Sequence, residues 1–353
     1  MSLVLVAMSG GVDSSVAALL VKNQGYDVIG ITFKNFDQDK LKIKPSPKNC
    51  CSVEHLNNAR IVCDTLKIPH YVINRVDQFE KQVLNDFRQA YLNGITPNPC
   101  VRCNSLVRWP ELIALADDLG AEYIATGHYA AIVNNNGRHL IQRSEYSVKD
   151  QSYALWGIDP SSLARTMFPI GKYPKTEIRR IARENDLKSA DVPESQDICF
   201  VPEGKYTDLL GVAEPGDIVN NAGDILGKHK GLKYYTIGQR QGLGISYHEP
   251  LYVLRIDIGN NKLIVGTESE TFRQRFTANS TNWFIELKPG DDLICSAKIR
   301  YRHDPASCRV KILENNHAEI EFDVPQRAIT PGQSAVFYDD RTLLGGSVID
   351  TVY

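Results

Sequence analysis

Over residues 1–130, short apolar runs take turns with amphipathic stretches, and no other property of the chain restricts its fold as much. An apolar run at 3–8 precedes a helix-forming segment after Asp13, and YDVIGITF (26–33) precedes SVEHLNNARIVCDTLK (52–67). HYVINRV (70–76) precedes QFEKQVLNDFRQAYL (78–92), and PELIALADDL (110–119) precedes AEYIATG (121–127). Strands alternating with helices form parallel neighbours, so the pattern predicts an α/β fold with a doubly wound parallel sheet. Ligands of such sheets sit beyond the carboxyl ends of the strands. The turn after 3–8, Phe33, and Gly127 with His128 therefore belong to one crevice.

The rest of the chain changes character twice. Residues 145–200 read as helical and loop-rich, with KTEIRRIARENDL (175–187) the clearest helix. Beyond Phe200, glycine turns separate short β-branched and aromatic runs, which predicts a small mixed, β-rich central domain. ICSAKIRYR, SCRVKILE, HAEIEFDVP, SAVFYDD and TLLGGSVID then read as five or six evenly spaced strands, a C-terminal β-barrel. Breaks near 205 and 280 divide the chain into 1–204, 205–279 and 280–353. The net charge of -2 sets up no global basic field, which neither demands nor excludes a nucleic-acid partner. No apolar run approaches the ~20 residues that span a bilayer, and no basic leader with an apolar core opens the chain, so a cytoplasmic location without membrane attachment is the default expectation.

Four segments carry chemistry. SGGVDSS (9–15) follows the first strand and opens a helix, offering consecutive N–H groups and the hydroxyls of Ser9, Ser14 and Ser15 to an anion. It has neither the lysine of a GxxxxGK[ST] loop nor the spacing of GxGxxG, and a nest of this kind suits a pyrophosphate. TPNPCVRCN (96–104) has two prolines, which predict a stiff, extended loop presenting Cys100 and Cys103 rather than burying them in a helix. CxxC alone is compatible with half a zinc site, a redox pair or two ordinary thiols; Cys50 and Cys51, adjacent to each other, make an awkward second half. ESQDICF (194–200) carries Cys199, which reads equally as a reactive thiol or a small buried residue at a strand start. KDQSYALW (149–156) is a polar cluster leading into a helix.

SGGVDSS resembles the PP-loop of ATP pyrophosphatases, enzymes that split ATP between the α and β phosphates. With TPNPCVRCN, ATGHYA (125–130), KDQSYALW, FPIGKYPKTEIRRIA (168–182), ESQDICF, YYTIGQRQGLGI (234–245), IRYR (299–302) and PGQSAVFYDD (331–340), the chain resembles, in order and spacing, the tRNA-specific 2-thiouridylases of the MnmA family. The resemblance implies a PP-loop catalytic domain (1–204), a central β-rich domain (205–279) and a tRNA-binding barrel (280–353). It implies ATP-dependent adenylation of O2 of the wobble uridine, at position 34, followed by sulfur transfer from a cysteine persulfide, with release of AMP and pyrophosphate. ATP, with Mg²⁺, would be held by Ala7, Met8, Ser9, Gly10, Gly11, Val12, Asp13, Ser14, Phe33 and Gly127, with no resident metal site. Cys199 would carry the persulfide sulfur and Cys103 would be its partner nucleophile. Either Cys103 releases hydrosulfide from the persulfide, or the persulfide attacks C2 and Cys103 resolves it as a Cys103–Cys199 disulfide.

The same resemblance assigns tRNA contacts to Thr96, Pro97, Asn98, His128, Lys149, Asp150, Gln151, Arg300, Tyr301 and Gln333. Phosphate contacts would come from Arg143, Lys149, Lys172, Lys175, Arg179, Arg180, Arg300 and Arg302. The implied partners are the anticodon stem-loops of Lys, Glu and Gln tRNAs and a persulfide donor, either a cysteine desulfurase or a relay protein. Where some relatives have an aspartate this chain has Cys100, so a proton-transfer role there is not carried over. Another PP-loop enzyme, of the amidotransferase or ligase type, is the competing expectation; it has no use for Cys103 and Cys199.

Overall fold

The computed structural model describes residues 1–37, 53–193, 198–201 and 206–353. Strand β1 (Leu3–Ala7) leads into helix α1 (Val12–Asn23), followed by β2 (Asp27–Lys34), α2 (Val53–Thr65) and β3 (His70–Asn74). Then come α3 (Val76–Phe79), a wider π turn (Glu80–Leu84), α4 (Asn85–Leu92), α5 (Pro99–Arg102), a second π segment (Cys103–Arg108) and α6 (Trp109–Leu119). The strands β4 (Tyr123–Thr126), β5 (Ala130–Asn135), β6 (Arg138–Arg143) and β7 (Thr166–Met167) precede α7 (Lys175–Glu184). The described chain separates into two compact units: Met1–Leu84 with Pro99–Lys205 and Arg341–Leu343, and Asn85–Asn98 with Tyr206–Asp340 and Leu344–Tyr353.

In the first unit a five-stranded sheet runs in the order β3-β2-β1-β4-β7, with every pair parallel. Val4, Leu5 and Val6 are fully buried, as expected for a strand covered on both faces. β3 lies at the sheet edge and leaves Tyr71 and Val72 half exposed. The strand order reverses direction between β1 and β4, so the ligand crevice falls where their carboxyl ends part. α1 is fastened to α7 through Val16, Ala17 and Val21 against Ile178 and Ala182, all of them solvent-free. The hairpin β5–β6, absent from the sequence expectation, turns at Asn136 and Gly137, both left-handed (φ 52° and 84°), the backbone that Asn-Gly favours.

In the second unit, β8 (Gly216–Val219), β9 (Ile225–His229), β10 (Tyr252–Asp257) and β11 (Lys262–Gly266) form a mixed sheet ordered β10-β11-β8-β9 over a core of Ile218, Leu232, Val253, Leu263 and Val265. Tyr91 of α4 stacks on Tyr206 at 4.7 Å. β12 (Phe272–Trp283), β13 (Asp292–Lys298), β14 (Ala306–Ile312), β15 (Ala318–Arg327), β16 (Ser334–Asp339) and β17 (Thr342–Val352) make a closed six-stranded antiparallel barrel, β12 pairing with β17 to remove the edge. Phe276, Val310, Ile320, Phe322 and Phe337 fill it. β12 runs through residues 279 and 280, so the barrel's first strand begins at Phe272. No helix among the described residues is long and apolar enough to cross a membrane.

Candidate active site

The turn between β1 and α1 is held from behind. Met8 donates its N–H to the Ile31 carbonyl (2.7 Å), and its own carbonyl accepts from Thr32 Oγ1 (2.9 Å). Gly10 has φ +77°, and a Cβ there would stand 2.1 Å from the His55 carbonyl oxygen, so only glycine allows α2 to back the turn. Ser14 Oγ and Ser15 Oγ donate to the Gly11 carbonyl (3.1 and 2.9 Å), and Ser9 N–H donates to Ser14 Oγ (3.1 Å). The hydroxyls thus shape the loop, and the first-turn N–H groups of Val12, Asp13 and Ser14 have no acceptor within their helix. Gly127, just beyond β4, lies against this turn: a Cβ there would be 2.6 Å from Ser14 N and 2.7 Å from Asp13 C. On the Gly11 side a Cβ would meet nothing closer than Ser9 Oγ at 3.5 Å. One face of the turn is packed and the other is open, which fits a phosphate-binding nest. Phe33 ends β2 on the same edge of the sheet and is buried.

Asp13 is the turn's only carboxylate, and it is engaged. Lys175 Nζ lies 2.8 Å from both of its oxygens, and Tyr129 Oη donates to Oδ1 at 2.7 Å. Sequence reasoning placed Lys175 among cations for the RNA backbone; the fold brings it to the SGGVDSS turn from 162 residues away. The legible signal was a lysine at the first position of α7, right after Pro174, where helix electrostatics favour an anion. No cluster of three or more His, Cys, Asp or Glu side chains that could hold a metal exists among the described residues.

The thiols are placed differently from the expectation. TPNPCVRCN is not extended throughout: α5 starts at Pro99, and the chain continues as a π segment from Cys103. Proline is well suited to a first helical turn, where its missing N–H is not needed. Cys100 is exposed and Cys103 buried (8% exposed). Asn104 locks this segment onto KDQSYALW, donating to the Ala154 carbonyl at 3.0 Å, and Gly157 makes room for Ser105. Cys199 sits in a turn, not at a strand start, and the adjacent Phe200 is anchored on Phe79 (5.7 Å), which packs on Phe36 just past β2 (6.1 Å). Cys103 and Cys199 are both thiols. Cys63 and Cys308 are buried packing residues. Burial, then Asp64, pushes the Cys63 thiol up to about 12, while the hydrogen bond with Cys295, then burial, raises Cys308. Cys50, Cys51, Gln196 and Asp197 lie outside the described residues.

The residues expected at tRNA fall into three groups. Asp150 is a buried organiser of its own turn, accepting from Ser144 N–H (3.0 Å) and Ser152 Oγ (3.0 Å), with Arg143 at 3.5 Å. Gln151 clips Tyr129, accepting its N–H at 2.9 Å, and Lys149 closes a short 3₁₀ turn. His128 lies between Trp109 (5.6 Å) and Phe168 (6.3 Å). Arg108 approaches its Nε2 at 3.4 Å; since arginine can only donate, Nε2 accepts and Nδ1–H faces Thr126 Oγ1 at 2.8 Å. Burial, then the Arg108 charge, lowers the His128 pKa to about 3, so the ring is neutral. In the second unit, Gln333 Nε2 donates to the carbonyls of Thr96 (3.1 Å) and Pro97 (3.0 Å), and Asn98 reaches Ser334 Oγ at 3.5 Å. Arg300 donates to the Arg327 carbonyl (2.9 Å), leaving Tyr301 half exposed beside Lys298. Among the other expected phosphate contacts, Arg180 pairs with Glu177 and Glu184, and Arg179 donates to the Ala190 carbonyl.

Three family models tile the chain: tRNA methyl transferase HUP domain (residues 2–203), tRNA methyl transferase PRC-barrel domain (207–267) and aminomethyltransferase beta-barrel domain (273–349). The tRNA-specific 2-thiouridylase MnmA of Halothermothrix orenii is 43% identical over 358 residues, covering 99% of each chain. That of Clostridium beijerinckii is 43% identical over 354 residues, again covering 99% of each. A solved 4-thiouridine synthetase in complex with RNA and ATP superposes with a TM-score of 0.37 at 18% identity, over 57% of this chain and 46% of that one. End-to-end identity at this level, over the same three successive domains, places the chain in the tRNA-specific 2-thiouridylase family.

Proposed function

We propose that this chain thiolates tRNA: it adenylates O2 of the wobble uridine with ATP and replaces that oxygen with sulfur from a persulfide on Cys199. The observation that carries the reading is the pairing of an open anion nest after β1 with two cysteines in the thiol form, Cys103 and Cys199, in one compact unit. Ala7 to Ser14, Phe33 and Gly127 hold ATP, and Mg²⁺ arrives with the nucleotide, as that ion commonly binds through one or two carboxylates and substrate phosphates. Bound ATP supplies the activating group; the chain's own residues hold the leaving pyrophosphate, position the base and deliver sulfur.

Thr96, Pro97 and Asn98 meet the extruded base, Gln333 fixes the carbonyls of the first two, and His128, Lys149 to Gln151, Arg300 and Tyr301 contact the anticodon stem-loop. In the resolving route, the terminal persulfide sulfur bonds to C2 and AMP leaves. The Cys103 thiolate then attacks Cys199 Sγ, the electron pair of the broken S–S bond stays on the base as 2-thiouridine, and a Cys103–Cys199 disulfide remains. The domains follow one another as a catalytic domain to about 204, a central domain, and a barrel that starts with β12 at Phe272 rather than at 280; the partners are Lys, Glu and Gln tRNAs and a persulfide donor, and the location is the cytoplasm.

The test is thiolation of an unmodified anticodon stem-loop transcript with ATP and a persulfide donor, with nucleosides read by mass spectrometry and AMP and pyrophosphate quantified. Wild type and Cys100→Ser yield 2-thiouridine, whereas Cys199→Ser and Cys103→Ser do not. Full thiolation by both of the latter variants refutes the persulfide route, and an absence of AMP from wild type refutes the adenylation.

A further inference from the structure

Successive peptide units at the start of the SGGVDSS turn are not held alike. The Met8–Ser9 unit is tied at both ends: its carbonyl accepts from Thr32 Oγ1 (2.9 Å) and its N–H donates to Ser14 Oγ (3.1 Å). The Gly10–Gly11 unit has its N–H turned back on Ser9 Oγ at 3.4 Å. The Ser9–Gly10 unit between them is tied at its oxygen alone. His55, in the first turn of α2, meets the Ser9 carbonyl with Nδ1 at 3.1 Å; a carbonyl only accepts, so Nδ1 carries the proton and donates. Among the described residues nothing accepts the Gly10 N–H, although Gly10 is buried. Buried N–H groups without an acceptor are rare in folded proteins, so this one marks a place for an acceptor that a ligand brings.

A trans peptide unit is planar, and its C=O and N–H point in opposite directions. A donor that fixes the Ser9 oxygen toward α2 therefore fixes the Gly10 N–H away from it. The backbone alone does not impose that direction. Turning this unit over changes only ψ of Ser9 and φ of Gly10, and glycine adopts either sign of φ about as readily. Gly10, at φ +77°, has to be glycine because the His55 carbonyl stands where a Cβ would be. The close approach of α2 thus leaves the peptide free to turn over, and the His55 ring on the same helix restores its direction. That ring is 3% exposed, which keeps water from competing for the Ser9 oxygen.

We propose that His55 is a positioning residue of the nucleotide turn, holding the Ser9–Gly10 peptide so that the Gly10 N–H donates to a phosphate oxygen of the bound nucleotide. The inference rests on the reading of the turn as an ATP site. His55 acts through the peptide and transfers no proton. A single hydrogen bond biases the two orientations of a peptide by roughly tenfold.

The alternative is that His55 merely packs α2 against the turn. Titration calorimetry with inorganic pyrophosphate and with adenosine separates the two, alongside melting temperatures and NMR of selectively ¹⁵N-glycine-labelled protein. His55→Leu should bind pyrophosphate about tenfold more weakly, with adenosine affinity within about twofold of wild type. His55→Asn, whose Nδ2–H can take the place of the ring Nδ1–H, should recover pyrophosphate affinity to within about threefold of wild type. Cys63→Ala loosens α2 by opening a cavity over Gly30 of β2 and leaves the donor alone, so it should lower the melting temperature and keep wild-type pyrophosphate affinity. On adding pyrophosphate, the Gly10 amide proton should move downfield in wild type and His55→Asn and stay in place in His55→Leu. Wild-type pyrophosphate affinity in His55→Leu overturns the inference, as do equal losses in His55→Leu and His55→Asn or a matching loss in Cys63→Ala. A Gly10 amide that bound pyrophosphate leaves unmoved in wild type overturns it as well, whether or not the variants fold. If wild type itself neither binds pyrophosphate nor forms AMP with tRNA, the nucleotide reading fails instead.

Discussion

Two glycines at the nucleotide turn should fail in opposite ways when given a methyl group. Gly11 has φ -88° and ψ 164°, open to any residue, and its Cβ would meet only Ser9 Oγ at 3.5 Å. Gly11→Ala should therefore leave the melting temperature unchanged or slightly raised, since alanine loses less chain entropy on folding. Its methyl group would stand on the open face, where phosphate must approach the N–H groups. Losing one hydrogen bond to a charged group costs about 1.5–3 kcal/mol, or roughly 10- to 100-fold in the Kd for ATP. Gly127→Ala meets backbone instead: its Cβ falls 2.6 Å from Ser14 N, and ordinary contact begins at 3.4 Å, so the first turn of α1 must retreat by ~0.8 Å. Overpacking of this kind costs ~1–3 kcal/mol of stability. A displacement near 1 Å at a reacting centre costs on the order of 100-fold in rate. Scanning fluorimetry with ATP calorimetry reads both. Wild-type ATP affinity in Gly11→Ala, or a wild-type melting temperature in Gly127→Ala, would show that the turn does not have one packed and one open face.

Gln333→Glu puts carboxylate oxygens where an amide now donates to Thr96 and Pro97, so steady-state thiolation should lose at least ~10-fold in kcat/KM for the stem-loop while the Kd for ATP is unchanged, two lost hydrogen bonds being worth about that much; equal kinetics would remove the loop-holding role. His128 has a folded pKa near 3 against 6.5 in the unfolded chain, so the unfolded state takes up a proton first and stability falls as pH drops below 6.5. Between pH 7.5 and 5.5 that loss is about 1.4 kcal/mol, and urea midpoints should show His128→Gln losing less by roughly that amount; identical losses count against a neutral ring. Iodoacetamide followed by peptide mapping should label exposed Cys100 well before buried Cys103, and the reverse order would contradict the helical start at Pro99.

The α/β layout was readable because each parallel strand needs a long crossover, and that requirement writes itself into the order of apolar runs. β1, β2 and α6 fall where 3–8, 26–33 and 110–119 predict, to within a residue or two. The hairpin β5–β6 escaped although Asn136-Gly137 marks its turn, because neither flank alternates strictly: β6 carries Leu140 and Ile141 in succession, both buried. The extended reading of 96–104 weighted proline as a helix breaker. Pro97 does lie outside a helix, but Pro99 opens one, and proline favours or forbids a helix according to position alone.

The site was legible only where its residues are neighbours in the chain. Ser9 to Ser15 announce an anion nest because one strand end and one helix start are covalently consecutive. Lys175 could not be connected with them, since what joins it to Asp13 is the packing of α1 on α7, a contact between apolar faces that gives no hint of the polar pair at their ends. The absence of a lysine within SGGVDSS was informative about the loop and silent about the pocket. A cation at a helix N-terminus works against that helix, so it needs an external reason, and here the reason lies 2.8 Å away on another helix. The same logic runs through His128, whose neutral state follows first from desolvation and then from Arg108 facing it across 3.4 Å, a pairing that spans 20 residues and two elements. Charged groups that violate a local preference are thus where tertiary structure and chemistry intrude on sequence, and in this chain the clearest such violation borders the nucleotide turn.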